Sequence, residues 1–353
     1  MKKALLYKKL PNKKVQCLTC NRKCLISPGQ LGFCQTRINK DGTLYTLIYG
    51  LSSGIQVDPI EKKPVFHFKP GSLCFSVGTY GCNFRCKFCQ NWNISYANAS
   101  ELKIQPCLPA GRNEKFKIEP EKLIKMAINA GADGIAFTYN EPAIWLEYCL
   151  DVFRLVKKTN KNYYTCWVTN GYGTKEAIDL IAPFLDIYRV DLKSFQDKFY
   201  KELIGIPKAS VVFETTKYLH RKFSQIHIEC VTNIVPGWND DKDNLKKIAL
   251  WIKTNLGPKT PWHVTRFYPD ALMNDISPTP ADTLLKTQKI GQEQGLKFVY
   301  IGNLQTEKGE NTYCPKCQTL VIKRGFKTEI LNLKNVKGRG YCQKCGQDLN
   351  LLL

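Results

Sequence analysis

The segment LCFSVGTYGCNFRCKFCQNW, residues 73–92, joins a strand-like apolar run to three closely spaced cysteines. Cys82, Cys86 and Cys89 follow one another in a C-x3-C-x2-C pattern. Three thiolates on one loop can bind three irons of a four-iron cubane cluster, and they leave the fourth iron without a protein ligand. Such an open position suits a catalytic cluster, because a small molecule can bind there. A zinc loop or an electron-transfer loop is the competing interpretation.

Strand-like and helical segments alternate along the middle of the chain. The predicted strands are 73–79, 134–140, 164–169, 187–192, 226–232, 263–268 and 297–301. The predicted helices are 120–130, 142–159, 174–183, 210–222, 241–255 and 280–294. This alternation predicts an α/β fold with a parallel sheet covered by helices. Because six or seven units are too few to close an eightfold barrel, we expect a partial (β/α)6-type TIM barrel, with the chemistry at the carboxyl ends of its strands.

Cysteine usage divides the chain into three parts. The sixteen cysteines include one group near each end besides the central group. We predict an N-terminal cysteine-rich module over 1–68, the core over 69–305 and a C-terminal module over 306–353. Residues 97–117, with Cys107, lack periodicity and are predicted to form a surface loop. The chain has no signal segment at its start and no run of about 18 apolar residues, so we predict a cytoplasmic protein.

Both flanking cysteine groups are candidate metal sites, because clustered thiols in a reducing compartment more often bind metal than form disulfides. Cys314-x2-Cys317 and Cys342-x2-Cys345 form two knuckles, the arrangement of a zinc ribbon. A metal would supply folding energy to a segment that is too short for a good apolar core. Zinc is favoured there over iron in a rubredoxin-like site. The N-terminal group fits either zinc or an auxiliary iron–sulfur cluster; its members are Cys17, Cys20, Cys24 and Cys34.

The formal charge of +22 points to an acidic partner, and nucleic acid is one such partner. Lysine residues are spread along the whole chain rather than gathered in one stripe, which disfavours a dedicated nucleic-acid surface. Charge alone therefore leaves nucleic-acid binding open without favouring it.

The cysteine loop resembles the signature of the radical S-adenosylmethionine (SAM) superfamily in its spacing, in Phe88 before the last cysteine and in its place after the first strand. The resemblance implies that Cys82, Cys86 and Cys89 hold a [4Fe–4S] cluster whose fourth iron is chelated by SAM. It further implies reductive cleavage of SAM to methionine and a 5′-deoxyadenosyl radical, which abstracts hydrogen from a substrate. Because the cluster has to be reduced at low potential, we expect a flavodoxin or a ferredoxin as electron donor.

Polar residues at the ends of later strands resemble SAM-binding motifs of the same superfamily. Glu141, followed by proline, resembles the Glu of the Gly-Gly-Glu-Pro motif, although both glycines are replaced. Thr169 and Asn170 resemble part of the Asp-Thr-Asn-Gly segment of glycyl-radical-enzyme activases, and Asp191-Leu-Lys193 matches their Asp-Leu-Lys. The resemblance implies a SAM-binding set made of Glu141, Thr169, Asn170, Asp191, Lys193 and Tyr268.

Two histidines of the chain have different predicted roles. The activases carry a His near the end of the sixth strand, where the nearest candidates in this chain are Tyr268 and His263. His67 lies between Phe66 and Phe68 and is predicted to be a packed core histidine.

The core resembles the pyruvate formate-lyase-activating branch, and the whole chain resembles the radical SAM member of the AmmeMemoRadiSam system. The second match rests on the N-terminal cysteine group, VDPIEKKP at 57–64, Phe66-His-Phe68, Gln90-Asn-Trp92, Pro261-Trp-His263 and Asn311-Thr-Tyr-Cys314. It implies MEMO-like and AMMECR-like partner proteins. The leading hypothesis is an oxidoreductase-type radical enzyme that acts on a protein, with a glycyl radical as one product. Radical modification of RNA or a small molecule is the alternative within the enzyme class. A non-catalytic metal-ribbon adaptor for nucleic acid or protein is the alternative outside it.

Overall fold

The computed structural model describes residues 1–97, 117–160, 162–306 and 309–353. Nearly all of the predicted surface loop 97–117, including Cys107, lies outside the described residues. Within the described ranges, no helix is both long and apolar enough to cross a membrane.

Two small antiparallel sheets form the start of the chain. Their strands are β1 (Lys2–Lys3), β2 (Tyr7–Lys9), β3 (Val15–Cys17), β4 (Leu25–Ile26), β5 (Arg37–Lys40) and β6 (Thr43–Thr46). One sheet has the order β1-β6-β5 and the other β2-β3-β4. Val15, Ile26 and Leu44 are buried together with Cys17 in a small shared core, so the N-terminal cysteine group stands on a packed scaffold.

An eight-stranded sheet forms the centre of the molecule. Its strands are β7 (Gly54–Pro59), β8 (Leu73–Gly78), β9 (Gly134–Phe137), β10 (Tyr164–Thr169), β11 (Ile187–Asp191), β12 (His227–Ile234), β13 (Trp262–Arg266) and β14 (Val299–Gly302). The order is β14-β13-β12-β11-β10-β9-β8-β7. Strands β8 to β14 are parallel, and β7 is antiparallel to β8. Every residue of β9 and β10 is buried, as expected for parallel strands that are covered on both faces.

Helices connect the parallel strands and cover the sheet. They are α1 (Trp92–Ser95), α2 (Pro120–Asn129), α3 (Leu146–Thr159), α4 (Lys175–Ile181), α5 (Asp197–Phe199), α6 (Ser210–Lys222), α7 (Lys242–Asn255) and α8 (Ala281–Glu293). A π-helical turn, Tyr200–Ile204, continues α5. Side chains cap two of the helices: Thr174 accepts a hydrogen bond from Ala177 N–H, and Asp241 accepts one from Asn244 N–H.

The structure confirms the predicted α/β fold, with all seven parallel strands and six connecting helices in the predicted order. The sheet order leaves β7 and β14 as the two edges, so the barrel is incomplete. Strand β7 was not predicted, because the alternation of apolar and polar residues in Gly54–Pro59 is only four residues long, from Ile55 to Asp58, and ends at a proline. It lies within the segment assigned to the N-terminal module, whose boundary at residue 68 stays a prediction, as does the boundary at 305.

Two further small sheets form the end of the chain. Their strands are β15 (Thr312–Tyr313), β16 (Leu320–Arg324), β17 (Thr328–Ile330), β18 (Leu333–Val336), β19 (Arg339–Cys342) and β20 (Asp348–Leu352). The end of β20 joins the segment before β8, since Leu352 N–H donates to His67 O at 2.8 Å and Lys69 N–H donates to Leu352 O at 2.7 Å. Phe298 and Tyr300, at the start of β14, share a buried cluster with β16 and β20. The C-terminal sheets therefore cover the amino ends of the barrel strands.

The N-terminal sheets pack at the opposite, carboxyl end of the barrel. Asn21 N–H donates to Tyr172 O at 2.9 Å, and Tyr172 lies just beyond the end of β10. Cys20 forms an isolated antiparallel bridge with Gly173 in the same loop. The two cysteine modules thus flank the barrel at its two ends.

Candidate active site

The central cysteine loop follows the carboxyl end of β8, and hydrogen bonds from its backbone N–H groups fix its position. Arg85 N–H donates to Ile204 O at 3.0 Å, and Lys87 N–H donates to Leu203 O at 2.8 Å. The π-helical turn after α5 therefore accepts two backbone hydrogen bonds from the loop and holds it in place. Cys89 N–H donates back to Cys86 O at 3.0 Å, which closes the last turn of the loop.

Gly81 sets the entry to this loop. Its φ is +80°, and a Cβ at this position would lie 2.6 Å from Cys34 O. Only glycine fits there, because the backbone is left-handed and the N-terminal sheets approach within contact distance. The N-terminal cysteine group and the central cysteine loop are therefore direct neighbours.

One cavity of about 360 Å³ lies at the carboxyl ends of the parallel strands. It is lined by residues that follow β8, β9 and β10, by β11 and β12 and by residues near the ends of β13 and β14. All three central cysteines and all six predicted SAM residues line it: Cys82, Cys86, Cys89, Glu141, Thr169, Asn170, Asp191, Lys193 and Tyr268. The structure thus brings together every residue that the sequence assigned to the central site.

Glu141 is the buried carboxylate of this cavity. Its oxygens accept hydrogen bonds from Ala143 N–H at 2.9 Å, Asn170 N–H at 2.7 Å and the Thr169 hydroxyl at 2.8 Å. Burial raises the pKa of Glu141 to about 7, although these hydrogen bonds act in the opposite direction. The Glu141 side chain therefore joins the end of β9 to the end of β10 and retains a carboxyl group that titrates near neutral pH.

Asp191 lies between two cations at the end of β11. It pairs with Arg189, and its Oδ2 lies 2.9 Å from Lys193 Nζ. Burial raises the pKa of Asp191, but the two cations outweigh burial and lower it below its usual value. Lys193 also faces the cysteine loop, since its Nζ lies 5.9 Å from the centre of the Phe88 ring. Burial raises the pKa of Cys86 to about 12, and the Lys193 charge acts against this increase.

The two residues that replace the glycines of the Glu-Pro motif have defined structural roles. Tyr139 has a φ of +72°, a conformation that favours glycine, the residue that the related motif has at this position. Asn140 Nδ2 donates to Gly81 O at 2.7 Å, so it ties the β9 loop to the start of the cysteine loop. Asn91 Nδ2 donates to Tyr139 O at 2.8 Å from the other side of that loop.

Several lining residues were missed by the sequence reasoning: Lys62, Lys63, Thr138, Arg189, Asn233, Thr265 and Asn303. Arg189 could have been found, because it lies two residues before Asp191 on the same face of β11. Lys63 could not, since its segment precedes the barrel in sequence and reaches the cavity only through the tertiary fold.

The histidine candidate lies elsewhere. His263 Nε2 lies 2.6 Å from Glu229 Oε2, in a buried cluster near the amino ends of β12 and β13, and it does not line the cavity. His67 belongs to the same cluster and is buried, with its Nε2 2.6 Å from the Tyr300 hydroxyl. The predicted packing role of His67 agrees with this position.

The C-terminal cysteines form a compact group. The sulfurs of Cys314, Cys317, Cys342 and Cys345 all lie within 4.8 Å of one another. Cys314 Sγ is 3.5 Å from Cys345 Sγ, and Cys317 Sγ is 3.6 Å from Cys342 Sγ. Four thiolates around a single tetrahedral zinc ion lie about 3.8 Å apart at the usual metal–sulfur distance. This group therefore has the geometry of a mononuclear metal site.

The central cysteines have a different arrangement. Among the described residues, the C-terminal group is the only set of three or more ligand atoms that all lie within 4.8 Å of one another. Cys82, Cys86 and Cys89 are therefore too widely spaced for one ion. A cubane cluster separates its thiolates in this way, because each thiolate binds a different iron. No fourth cysteine lies among the described residues that line the cavity, so the residues present fit a cluster with one open iron.

The fold and the site together define an incomplete α/β barrel with a three-cysteine loop at the carboxyl ends of its strands, the end at which enzymes of this architecture carry their active sites. The family model of the radical SAM superfamily matches residues 76–252. The chain belongs to the radical SAM superfamily, a family that implies a [4Fe–4S] cluster and SAM.

Relatives extend this assignment. A protein of Methanocaldococcus jannaschii that is named as uncharacterized is 38% identical over 356 residues, which span 100% of both chains. The pyruvate formate-lyase 1-activating enzyme of Escherichia coli is 25% identical over 241 residues, which cover 62% of this chain and 89% of that enzyme. The crystal structure of a radical SAM methyltransferase from Sphaerobacter thermophilus has a TM-score of 0.50 at 15% identity and covers 69% of each chain, so it supports the fold alone.

Proposed function

We propose that this chain cleaves SAM reductively and uses the resulting radical to abstract hydrogen from a protein substrate. The observation that carries the proposal is the single cavity that contains the three central thiols and the six polar strand-end residues. Cys82, Cys86 and Cys89 would hold a [4Fe–4S] cluster. When bound, the cluster supplies one electron to the sulfonium group of SAM and so breaks its S–C5′ bond.

The residues of the chain bind and orient SAM in this proposal. Glu141 contacts the amino group, because a buried carboxylate favours an ammonium partner. Lys193 contacts the carboxylate of SAM as a point charge. Asp191, which Arg189 and Lys193 hold in the ionised form, accepts hydrogen bonds from the ribose hydroxyls. Asn170 and Thr169 hold Glu141 in place through the hydrogen bonds described above.

The proposed substrate class rests on similarity and on the surface beside the cavity. Relatives named as activating enzymes include the Escherichia coli enzyme and the isethionate sulfite-lyase activating enzyme of Nitratidesulfovibrio vulgaris, which is 26% identical over 116 residues. Two large aromatic side chains are exposed there: Tyr268 lines the cavity at 39% exposure, and Trp92, just after the cysteine loop, is 47% exposed. Exposed aromatic groups are favoured at protein–protein contacts. A glycyl radical on the partner protein is the product we propose.

Four further assignments are part of the proposal. A flavodoxin or a ferredoxin supplies the electron, and zinc occupies the C-terminal cysteine group in a ribbon-like module. The AmmeMemoRadiSam assignment, with MEMO-like and AMMECR-like partner proteins, is supported by the resemblance of the whole chain and not by the barrel alone. The protein is proposed to act in the cytoplasm.

The first experiment tests SAM cleavage. The protein is reconstituted anaerobically with iron and sulfide, reduced with dithionite and incubated with SAM, and 5′-deoxyadenosine is measured by mass spectrometry. The proposal expects product from the wild-type protein and none from the variant with Cys82→Ala, Cys86→Ala and Cys89→Ala. The matched control carries Cys149→Ala, Cys166→Ala and Cys230→Ala at three buried thiols outside the cavity. A cluster-loaded wild-type protein that neither binds SAM nor forms 5′-deoxyadenosine would contradict the proposal.

The second experiment tests the substrate class. Extract from cells grown on deuterated medium is supplied to the reduced enzyme with unlabelled SAM, and deuterium in 5′-deoxyadenosine is measured. A protein substrate predicts transfer that protease treatment of the extract removes and that nuclease treatment does not. Loss of transfer after nuclease treatment would favour RNA instead, and transfer that passes a small-molecule filter would favour a metabolite.

A further inference from the structure

The four N-terminal cysteines line a second, small cavity beside the active site. Its lining includes all four members of the group, Cys17, Cys20, Cys24 and Cys34, together with Arg37 and Asn83. Three of these thiols are buried and Cys24 is partly exposed. Four thiols that converge from separate strands and turns on one enclosed space point to a bound inorganic group.

The spacing of these thiols distinguishes a site for a cluster from a site for a single ion. In the described part of the chain, the four C-terminal sulfurs all lie within 4.8 Å of one another, and no three of the N-terminal sulfurs do. Both groups contain four cysteines, so the C-terminal group is an internal reference for a mononuclear site. A cavity enclosed by thiols that stand too far apart for one tetrahedral ion fits a polynuclear group.

Two buried hydrogen-bond donors in the cavity lining have no partner among the described residues: Arg37 Nε and Asn83 Nδ2. Arg37 is 1% exposed and Asn83 is fully buried. A buried donor without an acceptor is unfavourable, so two of them at one cavity indicate a missing acceptor. The sulfides and thiolates of an iron–sulfur cluster are acceptors of this kind, and such hydrogen bonds tune cluster potentials. The thiolates of a zinc ion with four cysteine ligands accept such hydrogen bonds as well, so the two donors indicate a bound inorganic group and the spacing of the sulfurs indicates its kind.

We infer that Cys17, Cys20, Cys24 and Cys34 hold an auxiliary [4Fe–4S] cluster with four protein ligands. Four cysteine ligands leave no open iron, so this cluster has an electron-transfer or structural role and does not bind SAM. Its position favours electron transfer: Asn83 lines this cavity, its neighbour Cys82 lines the active-site cavity, and Asn83 Oδ1 accepts a hydrogen bond from Asn170 at 2.7 Å. One residue of the cysteine loop therefore separates the two sites.

The test uses the full chain with the three central cysteines replaced by alanine, so that its outcome does not depend on the catalytic cluster or on the proposed substrate. After anaerobic reconstitution, this variant is expected to retain about four iron and four sulfide ions per chain, against about eight of each in the wild-type protein. Its dithionite-reduced form is expected to give a [4Fe–4S]⁺ electron paramagnetic resonance signal that added SAM leaves unchanged.

Adding Cys17→Ala and Cys20→Ala to that variant should remove the remaining iron, whereas adding Cys149→Ala should not. Should the added pair prevent folding, iron and zinc counts on the central triple variant alone still decide the question. Less than one iron per chain, together with about two zinc ions, would overturn the inference and assign a mononuclear site to the N-terminal group.

Discussion

Arg37 of β5 and Glu147 of α3 form a buried, bidentate ion pair that joins the N-terminal sheets to the barrel. Arg37 Nη1 lies 2.9 Å from Glu147 Oε1, and Arg37 Nη2 lies 2.7 Å from Glu147 Oε2. Both side chains are almost fully shielded from solvent. Arg37 Nη2 also donates to Ile144 O at 3.1 Å, so the guanidinium also holds the 3₁₀ turn that precedes α3.

Replacing Arg37 by Met should lower the free energy of unfolding by about 3–5 kcal/mol, because Glu147 is then left as an unpaired buried charge. Replacing Glu147 by Leu in addition should recover most of that loss, since no charge remains buried. Urea denaturation of the single and double variants measures both effects.

The control for this pair is another ion pair to the same helix. Lys2 and Asp151 also link the start of the chain to α3, but both side chains are about a third exposed. Lys2→Met should therefore change the free energy of unfolding by no more than about 1 kcal/mol. Equal losses for Lys2→Met and Arg37→Met would show that burial does not determine the contribution of the pair.

Acid should destabilise the protein through His67. Burial lowers the pKa of His67 to about 3, far below its usual value of 6.5. Between these two values the unfolded state binds the proton and the folded state does not, so stability falls as the pH decreases from 6.5 towards 3. The expected slope from this group is about 1.4 kcal/mol per pH unit.

His67→Gln removes the titrating group and should reduce the pH dependence of the unfolding free energy between pH 4 and about 6 by about one proton. His220, which is only partly buried on α6, provides the control, and His220→Gln should leave most of the slope in place. A slope that is unchanged in His67→Gln would assign the acid sensitivity to other groups.

The barrel and its site could be predicted from the sequence, because the alternation of strands and helices and the positions of the site residues follow one geometric rule. Parallel strands end at one edge of the sheet, so motifs that follow successive strands must meet there. Cys82 after β8, Glu141 after β9 and Lys193 after β11 were each identified as a strand-end residue, and all three line one cavity.

Other features could not be read from the sequence because they depend on contacts between distant segments. Glycine is required at position 81 because Cys34 approaches its backbone closely. Asn140 is positioned by its hydrogen bond to Gly81 O. Neither contact has a signal in the local sequence. The positions of the two flanking modules at opposite ends of the barrel were equally hidden. Spacing in the chain alone left the metal of the N-terminal cysteines open, and it did not show that, among the described residues, only the C-terminal sulfurs gather within 4.8 Å of one another.

Removing the C-terminal metal should unfold its module locally and leave the barrel folded. The module has a small apolar cluster around Val321, Ile322 and Leu349, so a metal bound by its four cysteines would supply much of its stability. Cys314→Ala with Cys317→Ala should lose about one zinc ion per chain and raise amide hydrogen exchange across 312–352. Cluster content and SAM cleavage per folded chain should stay at the wild-type level. Retention of zinc in this variant, or loss of iron, would contradict the assignment of these cysteines.

SAM affinity should depend on the ionised form of Glu141. The pKa of this carboxyl group is raised to about 7, chiefly by burial, so below pH 7 a growing fraction is neutral and no longer attracts a cation. We expect the dissociation constant of SAM to increase as the pH falls from 8 to 6, by up to about tenfold per unit below the pKa. Glu141→Gln should weaken binding by about tenfold at pH 8 and abolish this pH dependence, as measured by anaerobic equilibrium dialysis on cluster-loaded protein.

Glu202→Gln, at an exposed glutamate of the π-helical turn, is the control and should bind SAM as the wild-type protein does. A Glu141→Gln variant that keeps both wild-type affinity and wild-type pH dependence would remove Glu141 from the SAM contacts and restrict it to its hydrogen bonds with Thr169 and Asn170.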